Sequence, residues 1–172
     1  MTLRFVLLDT RKHNRAGFRS GSSALDSYLQ QQAGQHQRDN IATTHVLADD
    51  GEPARVLGYC SLAAAQLHLD DLQPADRKRL PAYPVPAVRI GRLAVARDVH
   101  GRGFGRLLLG HAANRSLALR ETLGVRVLLV DAKDERAAAF YATFGFRPAF
   151  ENALTLYLPL GKIISETKGQ CL

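Results

Sequence analysis

Only two of the 172 residues are cysteine, Cys60 and Cys171. Two thiols cannot build a disulfide framework or a cysteine-based zinc site, so an ordinary reducing compartment, the cytoplasm, is expected. No apolar run approaches the roughly 18–20 residues of a membrane span, and no membrane partner is expected. The opening MTLRFVLLDTRKHN has one short apolar stretch, an early Asp9 and no small-residue cleavage site. It reads as a first strand rather than a signal peptide. The six histidines lack an H-E-x-x-H or comparable spacing, so no metal is expected. Internal repeats and low-complexity segments are missing as well.

What remains is a 46% hydrophobic, 23% charged chain of one-domain length, long enough to bury a core without a staple. Its charge is uneven. Residues 1–86 hold ten basic and nine acidic side chains, whereas residues 87–172 hold thirteen and seven. Most of the +7 net charge therefore sits in the second half, and eighteen of the 23 basic residues are arginine, which grips phosphate in a bidentate fork. Solubility alone accounts for such a balance; so does an anionic partner, a nucleotide cofactor or a nucleic acid.

Periodicity predicts strands over 3–8, 42–48, 54–68, 87–95 and 125–131, with 146–150 and 153–160 closing the sheet. The second and third of these form a hairpin turned by Asp49-Asp50-Gly51. Leu25, Tyr28, Leu29, Gln32 and Ala33 fall at helical spacing after a start signal in which Ser23 pairs with Asp26. Residues 70–86, with four of the seven prolines, predict a loop carrying one short helix. A strong helix is predicted over 103–123, with Phe104, Leu107, Leu108, Ala112, Leu119 and Thr122-Leu123 on one side. Residues 134–145 predict another, with Asp134 as N-cap and Gly145 past its end. The order of elements predicts an α/β fold, a mixed central sheet with helices on both faces. Residues 1–160 form one expected domain, and 161–172, GKIISETKGQCL, an unpatterned tail expected to be flexible.

The chemistry concentrates in RLAVARDVHGRGFGRLLL, Arg92 to Leu109. A strand ends, a turn carries Gly101, Gly103 and Gly105, and a helix begins at once. Glycines let the backbone turn sharply and bring bare N–H groups to a ligand. The helix start adds unpaired donors and a positive dipole end, and Arg102 and Arg106 add charge; together they favour a phosphate. A Walker A loop is excluded because no Lys-Ser or Lys-Thr follows. A dinucleotide fingerprint fails because Leu108 stands where its third glycine belongs.

His100-Gly-Arg-Gly-Phe-Gly105 resembles the R/Q-x-x-G-x-G/A motif of the GNAT superfamily, which binds the diphosphate of acetyl-coenzyme A. The preceding RLAV looks like that family's central strand, and LLVDAKDERAAAFYATFGF (128–146) like its second signature. His100 departs from the usual Arg or Gln, which puts the side-chain contribution there in doubt and leaves the backbone cradle. Residues 13–160 are similar, more narrowly, to GNAT toxins of type II toxin–antitoxin modules. The resemblance lies in HNRAGFRSGSSALDSYLQQQAGQHQRDN and in the proline-rich approach LPAYPVPAVRIGRLAV. It implies acetylation of the α-amino group of aminoacyl-tRNA, a ribbon-helix-helix antitoxin as partner, and a homodimer as one open oligomeric form. The alternative is a GNAT enzyme acting on a small amine or a protein N-terminus.

The resemblance also assigns roles. Tyr141 matches the family's catalytic tyrosine, an acid for the departing thiolate; a phenol of pKa about 10 stays protonated at neutral pH and serves a thiolate whose thiol titrates at about 8.5. Backbone donors at Leu93, Ala94 and Val95 polarise the thioester carbonyl and pair with the pantetheine arm. His100, Gly101, Arg102, Gly103, Phe104, Gly105 and Arg106 surround the diphosphate, and Asp134 and Phe140 complete the coenzyme set. Asp134 serves equally well as a helix cap alone. No carboxylate lies on VRIGRLAV, which favours an α-amine acceptor, partly neutral at pH 7, over a lysine. Arg77, Lys78 and Arg79, and Arg92 among the series Arg89, Arg92 and Arg97, are the expected RNA contacts.

Overall fold

The computed structural model describes residues 1–161; the expected flexible tail lies outside the described residues from position 162 on. Seven strands form one sheet in the order β1-β2-β3-β4-β5-β7-β6. They are β1 (Leu3–Leu7), β2 (Thr43–Asp49), β3 (Gly58–Leu67), β4 (Val85–Val95), β5 (Val127–Asp131), β6 (Arg147–Ala149) and β7 (Asn152–Pro159). The helices are α1 (Ser23–Ser27), α2 (Ala33–Arg38), α3 (Pro74–Arg77), α4 (Phe104–Leu119) and α5 (Glu135–Ala142). β1-β2, β2-β3, β5-β7 and β6-β7 pair antiparallel, and α4 connects β4 to β5 in the chain. Contacts divide the chain into two compact units, Met1–Ala63 with Ile90–Ala112, and Ala64–Arg89 with the chain from Ala113 on.

In the first unit the β2–β3 register pairs Val46 with Tyr59, and β1–β2 pairs Phe5 with Leu47. Asp49 turns the chain by accepting the N–H groups of Thr2 and Gly51, which hold its carboxyl below the usual range. The strand predicted from residue 54 begins only at Gly58. The backbone of 54–57 is engaged elsewhere: Ala54 carbonyl accepts from Asn14 N–H, and Leu57 carbonyl from Ala96 N–H. Gly58 faces Leu108 of α4, while its neighbour Tyr59 stacks toward Tyr28. Successive strand residues point to opposite faces, so within this unit the sheet has a helix on each side.

The helix predicted from residue 23 is not continuous. The N-cap is Ser22 rather than Ser23, its hydroxyl accepting from Leu25 N–H. Asp26 reaches backwards instead, accepting Ser20 N–H at 2.9 Å and Ser20 Oγ–H at 2.6 Å. Tyr28–Gln32 then widens into a π-turn, in which Ala33 N–H reaches Tyr28 carbonyl. Arg15 supports it by donating to the carbonyls of Leu29 and Gln30. Such widened turns concentrate at functional sites.

The second unit is built on Leu67, Leu72, Val85, Ala87, Val127, Leu129 and Tyr157. Val127–Val130 is buried residue after residue, as its unbroken apolar run predicts. The Tyr157 hydroxyl donates to Asp76 Oδ2 at 2.6 Å and accepts Gln73 N–H at 2.8 Å. Arg147 takes the other Asp76 oxygen, so β6, β7 and α3 are tied at one carboxylate. Burial and that carboxylate push the Tyr157 phenol up to about 12.

The predicted apolar side of α4 needs correction. Phe104, Leu108, Leu109 and Ala112 are buried, with Ser116 continuing their line, but Leu107 is 41% and Leu119 38% exposed. Leu123, beyond the helix end, is exposed as well. A period of 3.6 carries the buried stripe through 104, 108 and 112, and Leu107 falls beside it.

His13 gives a pH test of the first unit. It is buried, and its Nδ1 accepts Asp9 N–H, so the neutral ring carries its proton on Nε2. Burial lowers its pKa from 6.5. The unfolded chain therefore binds the proton more readily, and stability present above pH about 6.5 is lost as pH falls toward the depressed folded value. Urea melts between pH 7.5 and 5 are expected to show this loss, and His13→Gln to remove its share of the slope.

Candidate active site

β4 does not end freely. After Val95, Ala96 N–H bonds to Leu57 carbonyl at 2.8 Å, and Arg97 N–H to Arg19 carbonyl at 2.7 Å. A single 3-10 turn over Arg97–Val99 then reverses the chain. His100 Nε2 lies 2.8 Å from the Val95 carbonyl; a carbonyl only accepts, so this nitrogen carries the proton and donates. The ring thus closes the loop onto the strand it left. That is a structural task for the residue standing in place of Arg or Gln.

Gly101 and Gly103 both have left-handed backbone, φ +83° and +80°. No atom lies within 4 Å of where a Cβ would stand on either. Their requirement is conformational on the protein side, and the space beside them is open to a ligand. α4 starts at Phe104, whose buried ring anchors the turn, while Arg102 and Arg106 are exposed. Gly105 lies inside the first helical turn rather than in the loop. The first N–H groups of this sixteen-residue helix have no partner within it and face the positive end of its dipole. The structure therefore brings His100, Gly101, Arg102, Gly103, Phe104, Gly105 and Arg106 into one anion-accepting turn.

Leu93, Ala94 and Val95 run directly into that turn. Ala94 is buried, and a Cβ on Gly58 would lie 2.9 Å from its carbonyl oxygen, so β3 approaches here backbone to backbone. Arg92, one residue earlier, lies over the ring of Tyr28 with its guanidinium carbon 3.8 Å from the centroid. Tyr28 looks in the sequence like one more apolar helix position, and no motif there marks it as a partner for an arginine.

In the second unit, Asp134 caps α5 by accepting Ala137 N–H at 2.8 Å. Tyr141 is 8% exposed near the other end of the helix, its ring 5.6 Å from Phe146 and 5.3 Å from Phe140. Phe140 is itself exposed and meets Phe144 edge-on. Gly145, at φ +92°, turns the chain out of the helix into β6. Asp134, Phe140 and Tyr141 thus share one short helix. Of the basic run, Lys78 and Arg79 are exposed, but Arg77 is committed: it donates to the carbonyls of Leu72 and Asp70 and covers Phe150. Arg89 is paired with Asp131 at 2.5 Å.

A cleft of about 830 Å³ opens in the first unit against Phe18, Val56 and Ala96, edged by Arg19, Arg55, Arg97, Glu52 and Asp98. Arg55 bonds to Asp98, and Arg19 to the carbonyls of Ala16 and Phe18, so much of its charge is answered internally. Among the described residues no group of three or more His, Cys, Asp or Glu is placed to hold a metal, and no helix is long and apolar enough to cross a membrane. Cys60 is buried, and burial pushes its thiol up to about 12, far from a reactive thiolate.

A family model described as an acetyltransferase (GNAT) domain matches residues 40–148, a span that contains the turn and both flanking strands. The chain belongs to the GNAT acetyltransferase family. A tRNA-acetylating toxin of Mycobacterium tuberculosis is 35% identical over 141 residues, covering 82% of each chain. The structure of AtaT complexed with acetyl-methionyl-tRNAfMet is similar at TM-score 0.90 and 28% identity, covering 96% of this chain and 99% of that one. A Tyr-to-Phe mutant of the AtaT toxin, bound to the C-terminus of the antitoxin AtaR and acetyl-CoA, is similar at TM-score 0.80 and 27% identity, covering 95% and 96%.

The two readings of Asp134 separate by substitution. Asp134→Ala is expected to destabilise the protein by about 1 kcal/mol, the usual cost of a lost N-cap, and Asp134→Ser to recover most of it in urea melts. A coenzyme contact beyond the cap would appear as weaker acetyl-CoA binding in the stable Ser variant.

Proposed function

We propose that this GNAT enzyme moves an acetyl group from acetyl-CoA to the α-amino group of aminoacyl-tRNA, and that it acts as the toxin of a toxin–antitoxin module. The observation that carries the reading is the turn at 101–106. Two left-handed glycines with empty Cβ space stand ahead of an unpaired helix start, the shape a diphosphate needs. The names of the similar proteins support the acceptor and the antitoxin. In this reading residues 1–160 work as one acetyltransferase domain in the cytoplasm. A ribbon-helix-helix antitoxin restrains it, and a homodimer is one oligomeric form open to it.

Acetyl-CoA supplies an acetyl group already activated as a thioester. The chain's own residues do the rest. Backbone N–H groups of 101–106 hold the diphosphate, with Arg102 and Arg106 adding charge. The β4 backbone at Leu93–Val95 orients the pantetheine arm and donates to the thioester oxygen as negative charge develops there. The acceptor amine forms the new C–N bond and releases its proton to water, the C–S bond breaks, Tyr141 gives its proton to the departing sulfur, and water returns a proton to the phenolate. Asp134 and Phe140, on the helix of Tyr141, complete the coenzyme set. Lys78, Arg79, Arg92 and the already committed Arg77 make up the RNA-facing set.

Purified protein with labelled acetyl-CoA tests the acceptor directly. Label is expected in the RNA fraction of a charged tRNA panel, lost on deacylation. Label in polyamines, free amino acids or peptide N-termini, with none on charged tRNA at low salt, contradicts the reading. Tyr141→Phe is expected to keep the fold and acetyl-CoA affinity while slowing transfer by on the order of 10²–10⁴. Full turnover in that variant removes Tyr141 from the chemistry. Gly103→Val is expected to lose acetyl-CoA binding by calorimetry, its side chain occupying the open space.

A further inference from the structure

Arg92 is half-buried, yet no carboxylate lies within ion-pairing distance of its guanidinium among the described residues. Half-buried charges are ordinarily paired, because removing them from water is costly. Arg92 is held instead by an aromatic face: its guanidinium carbon is 3.8 Å from the Tyr28 ring centroid. Stacking of this kind satisfies the flat face of the cation and leaves the N–H groups at its edge free.

Three features of the first unit build this arrangement. The π-turn beginning at Tyr28 departs from helical phase at that residue, and Arg15 holds the carbonyls it exposes. Tyr28 is fixed from two sides, by a 3.1 Å bond from its hydroxyl to His36 Nδ1 and by the Tyr59 ring stacked at 6.4 Å. Tyr59 is locked in turn by donating to Leu25 carbonyl at 2.6 Å, and burial pushes its phenol up while the Arg92 charge opposes that rise. The third feature is on β4. A Cβ on Gly91 would lie 3.0 Å from Ser61 Oγ, on the face of β3 that also carries Tyr59, and Arg92 reaches Tyr28 on that same face.

We propose that Tyr28 is a positioning residue for the acceptor. It holds the Arg92 guanidinium edge-outward, beside the backbone donors at Leu93–Val95, to take a phosphate of the aminoacyl-RNA end. The inference rests on the aminoacyl-tRNA reading above and names the pair that grips its acceptor. A positioning role differs from a packing role in one respect: the ring matters through Arg92, so its effect disappears when Arg92 is gone.

Binding of deacylated tRNA at several salt concentrations reads this without turnover. Arg92→Ala is expected to weaken binding about fivefold to tenfold and to lower the salt slope by about 0.7–0.9, the value of one phosphate contact. Tyr28→Leu is expected to reproduce most of that loss, and Tyr28→Phe, which keeps the ring, to stay within about twofold of wild type. The double variant Tyr28→Leu/Arg92→Ala is expected to bind no more weakly than Arg92→Ala alone. Losses that add in the double variant, or a folded Tyr28→Leu with unchanged affinity and slope, overturn the proposal. Should Tyr28→Leu not fold, Arg92→Lys keeps the charge and loses the planar stack; it is expected to lose most of the affinity, and full affinity there overturns the proposal. Transfer of label to charged tRNA by wild type with an additive cycle sinks this inference alone. Absence of both label transfer and salt-dependent tRNA binding sinks the aminoacyl-tRNA reading with it.

Discussion

The path of the backbone from Val95 to Phe104 is the constraint on which the rest depends. A strand must stop, reverse and deliver a helix start within nine residues, and it does so only because Gly101 and Gly103 accept left-handed conformations. Each end of the path is fixed. His100 holds the Val95 carbonyl, Leu57 and Arg19 hold the N–H groups of Ala96 and Arg97, and the buried Phe104 ring pins the helix. With the ends fixed, the N–H groups of the first helical turn stand oriented before any ligand arrives. Preorganised donors cost little to reorganise on binding, which is what makes such a turn effective toward a diphosphate.

The charge of the chain has a different meaning once its arginines are traced. Eighteen arginines suggest a broad phosphate-binding surface from composition alone. Arg15, Arg19 and Arg77 instead hold backbone carbonyls, and Arg4, Arg55, Arg89 and Arg147 hold carboxylates. Arg15, Arg19, Arg77 and Arg147 secure irregular backbone, the π-turn, the loop at 14–19 and the segment around α3, where regular hydrogen bonding is broken. Exposed pairs of this kind contribute little each, about 0–1 kcal/mol, so their value is in geometry more than in stability. Seven of the eighteen are committed in this way and eleven are left, so position rather than number decides which of them serve a partner. Arg92 is distinguished by lying over an aromatic ring without a carboxylate, and without the backbone carbonyls that hold Arg77 over Phe150.

Local rules carried the reading of the sequence wherever a segment's structure is decided within itself. α5 was legible at both ends, because Asp134 as a cap and Gly145 at positive φ are determined by a handful of neighbouring atoms. The turn at 100–106 was legible for the same reason. Where a segment answers to distant groups, the reading fell short. The first helix was read as continuous because the apolar spacing is helical; the π-turn depends on Arg15, and Asp26 on Ser20, neither visible to periodicity. The third strand was read as starting at 54 because its residues suit a strand, but the carbonyls of Ala54 and Leu57 are taken by Asn14 and Ala96. Leu107 was read into the buried stripe of α4 by its type, and the helical period leaves it out. Tyr141 came from the family resemblance; Tyr28 stood in the helical pattern and in the resembling segment 13–40, but neither revealed its partner, which is 64 positions away.

The central claim is that the β4–α4 turn receives the diphosphate of the coenzyme. Amide chemical shifts of isotopically labelled protein during a titration with coenzyme A test it most directly, since the backbone N–H groups are themselves the proposed contacts. The account predicts that the largest saturating shifts fall on Gly101, Arg102, Gly103, Phe104, Gly105 and Arg106, extending to Leu93–Val95 along β4. Shifts concentrated instead in the cleft between Phe18, Val56 and Arg97, with the turn amides unmoved, would contradict it.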